Sequence, residues 1–141
     1  MDSVAPSSGT GINQTFSVVF SDAAGYPAIG ISSMLINYGL DAVKGCYWMY
    51  SQQGNAIYLR NDAGTAWLTP IQPGSGTVSN SQCTINGAGT SVLKAGNSIT
   101  VNTAITFQSG FRGSQGVFGL AQNTSGTLSS GWQQKGTWTL P

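Results

Sequence analysis

The sequence predicts an all-β protein, an antiparallel sandwich of about seven to nine strands, and three observations carry that expectation. Residues 98–107 alternate without a break, with Ile99, Val101, Thr103, Ile105 and Phe107 set against Ser98, Thr100, Asn102, Ala104 and Thr106. That is the period of a strand with one buried face. Similar short segments recur along the chain, separated by turn sequences such as Gln53-Gly54-Asn55, Asp62-Ala63-Gly64, Pro73-Gly74, Asn86-Gly87 and Gly96-Asn97. Finally, 141 residues with 40% apolar and 10% aromatic content suit one folded domain and are too rich in core-forming side chains for a disordered segment.

In chain order, the Ser/Gly/Pro-rich residues 1–11 read as a linker or first edge segment, which leaves residues 12–141 as a single sandwich domain. Residues 14–21 form the first full strand, with Phe16, Val18 and Phe20 on one face. Ile29 to Ile36 is rich in β-branched residues and predicts a strand over 29–38. Met34, Leu35, Tyr38, Ala42 and Val43 fall at near-helical spacing, but Gly39 interrupts the run and no cap precedes it, so at most one helical turn is expected, at Leu40 to Lys44. Further strands are predicted over 45–51, 56–60, 64–69, 90–94 and 115–122. The closing segment places Trp132, Gln134, Gly136, Trp138 and Leu140 on one face. Phe16, Val18, Phe20, Ile99, Val101, Ile105 and Phe107 are the expected core.

The chemistry is bounded by what is missing. The chain has no histidine and no glutamate, and charged residues are 6% of it. Ser-His and Cys-His nucleophile activation, histidine metal sites and histidine acid/base catalysis all need a side chain that is absent. Only Asp2, Asp22, Asp41 and Asp62 could supply a carboxylate pair, and Asp22 and Asp62 lie in turn-like contexts where the side chain bonds the local backbone. No D-x-D-x-D cluster offers a calcium site, and Lys44 with Asp41 reads as a solvated loop pair rather than an isopeptide precursor. No catalytic residue, metal or cofactor is expected. The five cations and four aspartates are scattered, so nucleic acid and anionic lipid are not expected partners. No run of 18 apolar residues predicts a membrane span. The opening MDSVAPSSG lacks the features of a signal peptide, and an excised part of a longer parent is expected.

Cys46 and Cys83 are 37 positions apart and match no zinc or redox motif. A disulfide is the economical reading, with two buried free thiols as the alternative; a bridge would imply an oxidising compartment. Alternation puts Cys46, Trp48 and Tyr50 on one strand face, with Trp48 as core. Tyr47, Tyr58 and Trp67 are freer to be exposed and are the candidate ligand-binding aromatics. The sequons at Asn13 and Asn123 would accept glycans only in a host with that machinery.

The segments VAPSSGTG at 4–11, FSVVFSD at 16–22, CYWMY at 46–50, NDAGTAW at 61–67, SNSQCTINGAG at 79–89 and SGWQQKGTW at 130–138 resemble the immunoglobulin-like or fibronectin-III-like tandem modules of large bacterial surface and secreted proteins. The resemblance covers nearly the whole chain. It implies an antiparallel Ig-like sandwich with Cys46 and Cys83 as the modules' paired cysteines, and no defined catalytic activity. Where such modules often carry an acidic turn before the last strand, this chain has AQNTSGT at 121–127, so no Asp-based calcium site is expected there.

The expectation is therefore a non-enzymatic structural or adhesive repeat of a secreted or cell-surface bacterial protein, monomeric in isolation and flanked by neighbouring repeat domains, with a surface glycan or a protein as its ligand. The alternatives are a carbohydrate-binding module attached to a secreted enzyme, and a subunit of an extracellular filament whose N-terminal arm pairs with a neighbour's sheet edge. Co-planar exposed aromatics in a groove would favour the first of these, and an unpaired edge with a free N-terminal arm the second.

Overall fold

The computed structural model describes residues Met1–Pro141 and forms two antiparallel sheets packed face to face. Eleven strands follow in chain order: β1 (Ser3–Ala5), β2 (Asn13–Ser21), β3 (Ile29–Asn37), β4 (Cys46–Ser51), β5 (Ala56–Leu59), β6 (Thr77–Ser79), β7 (Cys83–Asn86), β8 (Ser91–Ala95), β9 (Ser98–Phe107), β10 (Gly113–Asn123) and β11 (Gln133–Leu140). The count exceeds the expected seven to nine for a local reason. β1 and β6 are three-residue edge pieces, and β7 and β8 lie end to end along β9, separated by a 3-10 turn at Gly87–Gly89. A side chain at Gly87 would meet the Ser75 carbonyl oxygen at 2.0 Å, so only glycine lets the Ser75–Gly76 backbone pass this closely.

The first sheet runs β1-β2-β9-β7-β6, with β8 beside β9; the second runs β11-β10-β3-β4-β5. Alternation puts Phe16, Val18 and Phe20 of β2 opposite Thr103, Val101 and Ile99 of β9, all fully buried. The second sheet answers with Met34, Ile36, Trp48, Tyr50, Ile57, Leu59 and Val117. Every expected core residue is buried. Cys46 and Cys83, the first residues of β4 and β7, are joined by a disulfide with Cα atoms 5.7 Å apart, so the bridge ties one sheet to the other. No helix is long and apolar enough to cross a membrane.

One expected strand does not form, and a segment for which at most one helical turn is expected has none. Over 64–69 the chain makes only a bridge between Trp67 and Arg60 and isolated backbone bonds to β5, because Pro70 has no N–H to continue a ladder. At Leu40 to Lys44 there is no helical turn. Asn37 Nδ2 donates to the carbonyls of Asp41 and Val43, and Asp41 accepts from Val43 N–H and the Tyr38 hydroxyl. These local bonds satisfy the backbone without a helix. A third expectation, one face for Trp132 through Leu140, fails at a β-bulge. Val117 pairs with Gly136 and Phe118 with Gln134, so Lys135 is the extra residue and the parity of β11 flips there.

The sheet edges are closed by short segments. The N-terminal stretch pairs with β2 as β1, then crosses at Ala5–Pro6 to the second sheet. There Ser7 and Gly9 accept from Thr137 and Thr139 of β11, and Gly11 donates back to Thr139. Residues 67–71 cover the free side of β5 in the same way, through Leu68 to Leu59 and the reciprocal pair Ile57–Ile71. β8 pairs only with β9. Its Lys94 reaches inward, the ammonium 5.7 Å from the ring centroid of Tyr50 on the opposite sheet.

Removing the bridge as Cys46→Ala with Cys83→Ala is expected to lower unfolding stability by roughly 3 to 4 kcal/mol, the loop-closure estimate for a 37-residue separation, measured by urea titration. An unchanged midpoint would show that the bridge constrains nothing. In the same assay Phe20→Ala should cost about 3 to 5 kcal/mol and Thr100→Ala less than about 1 kcal/mol.

Candidate functional site on the outer sheet face

The outward faces of the two sheets differ in kind. On the first, hydroxyls and amides knit the strands: Thr106 donates to Asn13 at 2.8 Å and receives from Asn86 at 3.2 Å, Asn102 donates to Ser91 at 3.1 Å, and Ser17 donates to Asn102. This is an ordinary solvated surface. On the second, the cross-strand register builds a row reading Gln134, Phe118, Leu35, Tyr47, Arg60 and Trp67. The next row holds Leu120, Ser33, Met49 and Tyr58, and the third Gln122, Ile31, Ser51 and Ala56. Leu35 and Phe118 are buried here although they point away from the main core. A side chain at Gly116 would meet the Phe118 ring at 2.6 Å, so glycine gives that ring its place.

The structure brings Tyr47, Tyr58 and Trp67 together. Tyr47 lies 5.0 Å from Trp67, and Trp67 lies 6.5 Å from Tyr58. A fourth ring, Trp132, sits 5.4 Å from Tyr47. Strict alternation from Trp138 assigns Trp132 to the core; the bulge at Lys135 sends it outward, and the sequence carries no local sign of that bulge. The rings meet edge to face at 69° to 75° and are not co-planar, which is the favourable geometry for their quadrupoles. Arg60 lays its guanidinium 4.7 Å over Trp67 and donates from Nη2 to the Gly64 carbonyl, while its Nε is buried without a partner. All four rings are half-buried. Tyr50 OH and Trp138 Nε1 are bonded within the chain, to Asn55 and to the Gly11 carbonyl. The hydroxyls of Tyr47 and Tyr58 and the indole N–H groups of Trp67 and Trp132 have no such internal partner. Burial pushes the Tyr47 phenol above its usual range, against an opposing pull from Arg60, so it stays protonated at neutral pH.

Four residues along the strands from the aromatic row, about 13 Å away, the same face opens into a groove of about 600 Å³. Pro27, Gly30 and Ile31, Ser51 to Gln53 and the turn Asn123 to Gly126 form its walls, and no charged residue lines it. Gly30 is the extra residue of a second bulge, where Gln122 pairs with Ile31 and Asn123 with Ile29.

Cys46 and Cys83 lie at the opposite end, bonded to each other and completely buried. The aspartates serve structure. Asp22 accepts from Ala24 N–H in a local turn, and Asp41 closes the β3–β4 loop. Asp62, expected to bond its own turn, instead reaches across to Ser81, accepting from its N–H at 2.8 Å and from its hydroxyl, while Asn61 satisfies the turn through Thr65 and Ala66. Asn80 completes this fastening: its amide donates to the carbonyls of Gly45 and Arg60 and accepts from Gln82 and Cys83.

No family model, curated protein or solved structure matches this chain.

The Ser81 hydroxyl and N–H, helped by Lys44, hold the Asp62 carboxyl below the usual carboxylate range. A depressed folded-state value contributes stability above the unfolded pKa of about 3.9, and that contribution is lost as pH falls through the folded value. Asp62→Asn should therefore be less stable than the parent at neutral pH, and the gap should close below about pH 4 in urea titrations at both pH values. A pH-independent gap would mean that the charge of Asp62 contributes nothing.

Proposed function

We propose that the chain is an immunoglobulin-like, non-enzymatic module of a secreted or cell-surface protein, where it serves as a structural or adhesive repeat between neighbouring domains. The strand order supports the Ig-like reading. With β1, β2, β9 and β7 as A, B, E and D, and β11, β10, β3, β4 and β5 as G, F, C, C′ and C″, both sheets follow the variable-type immunoglobulin arrangement. The disulfide departs from that pattern, linking C′ to D where antibody domains link B to F. Placement outside the cytosol rests on the bridge, since disulfides persist in oxidising compartments. The absence of a catalytic role rests on the structural use of Asp22, Asp41 and Asp62 described above and on a chain without histidine or glutamate.

The observation that carries the repeat reading is the direction of the first and last strands. β1 starts beside Val19, at the end of the sandwich where β2 finishes; β11 finishes beside Gly113, at the other end. Modules joined through such strands line up end to end, each adding roughly 35 Å, the length of the eleven-residue β10. The filament alternative has less support, because the arm it would lend to a neighbour is paired with the chain's own β2 and β11.

A chain carrying two copies in tandem should scatter X-rays as a rod with a maximum dimension of about 70 Å or more, each copy unfolding at the midpoint of the single module. A compact pair packed side by side would overturn the end-to-end reading.

A further inference from the structure

We propose that the outer face of the β11-β10-β3-β4-β5 sheet binds a neutral, hydroxyl-rich oligosaccharide lying along the strands, from the uncharged groove at one end to Tyr58 and Trp67 at the other. The proposal deepens the adhesive reading above and rests on it. A non-catalytic module needs a surface that holds a ligand, and this face is the one whose outward residues are aromatic rather than a knitted polar ladder.

Three features fix the ligand class. The groove holds no charge, which removes any reason for an ionic ligand to settle there. Its free side-chain groups are those of Ser51, Gln53 and Thr124, donors and acceptors of the kind that pair with sugar hydroxyls, while Gln52 is anchored through Nε2 to the carbonyls of Tyr26 and Ile29 and keeps its own carbonyl oxygen available. Along the same face, Tyr58 at about 7 Å and Trp67 at about 13 Å offer apolar ring area with an unpartnered hydroxyl and indole N–H at the rim. A ligand matching all of this must carry both C–H faces and hydroxyls, repeated over a length of several rings; it needs no charge in the groove, and the one charge beside the rings, Arg60, is already engaged with Trp67 and the Gly64 carbonyl. A flat crystalline surface is a poor fit, because the edge-to-face rings form no plane; a single soluble chain, seated first in the groove, fits. The site is rigid at both ends: Arg60 stacks on Trp67 beneath the bridge-fastened Asn80 junction, and Gln52 bolts the groove wall to the start of β3.

The test is affinity electrophoresis and calorimetry of the intact module against soluble neutral polysaccharides, namely a mixed-linkage β-glucan, a xylan and a galactomannan. Saturable binding to at least one of them is expected, little changed between low and high salt. Tyr58→Ala and the groove variant Gln53→Ala should each weaken it by roughly ten-fold, the usual effect of truncating a central contact. Gln53 is exposed, so its variant keeps the fold, and unfolding midpoints would verify this for both. Absence of saturable binding to all three overturns the proposal, as does binding untouched by both variants. Binding abolished by salt overturns the neutral class. None of these outcomes alters the tandem-rod result, so failure of the ligand assignment and failure of the repeat reading are separately visible.

Discussion

Most of this structure is organised by one junction, where the Cys46–Cys83 bridge crosses between the sheets and Asn80 laces the strand ends around it. Cys46 points inward at the first position of β4, and alternation then obliges its neighbour Tyr47 to point outward, into the centre of the aromatic group. The amide of Asn80 holds the carbonyls of Gly45 and Arg60, which fixes the point at which β5 gives way to the loop carrying Trp67. Asp62 adds a second tie between that loop and Ser81. Inner staple and outer site are two sides of a few residues. Four backbone groups satisfied by one asparagine, close to a buried disulfide, leave this end little freedom to open.

The main strands were legible because one face of each is buried and the other is wet. The alternation over 98–107 marks β9 to the residue, and that over 14–21 marks β2 to within one. Tyr47 and Tyr58 could be assigned to the outside for the same reason. Trp132 could not, since a bulge is a property of two paired strands, and nothing near Lys135 announces that β10 will skip it. The groove is harder still. Its walls come from residues near 27–31, 51–53 and 123–126, which only the packed sheet brings together. Three-residue strands such as β1 and β6 are too short to show a period, and the 64–69 segment shows one that Pro70 prevents the backbone from completing.

A chain with so few charges has to dissolve and specify itself by other means. Hydroxyl and amide pairs across β2, β9 and β7 occupy the positions where many sheets place ion pairs. Such contacts are short-ranged and insensitive to ionic strength, unlike exposed ion pairs. The surface therefore offers little long-range steering, and recognition on it depends on close fit.

β8 is the longest edge strand of the first sheet and pairs on one side only, and Leu93 on it is exposed. In an array of identical modules each such edge meets its neighbours at a high effective concentration, the condition under which strands exchange between domains and misassemble. Lys94 answers that hazard. Because its ammonium turns inward over Tyr50, an incoming strand would have to settle beside a charge, one of the devices by which edge strands discourage pairing. In the proposed array, one lysine among so few charges would thus help copies stay separate.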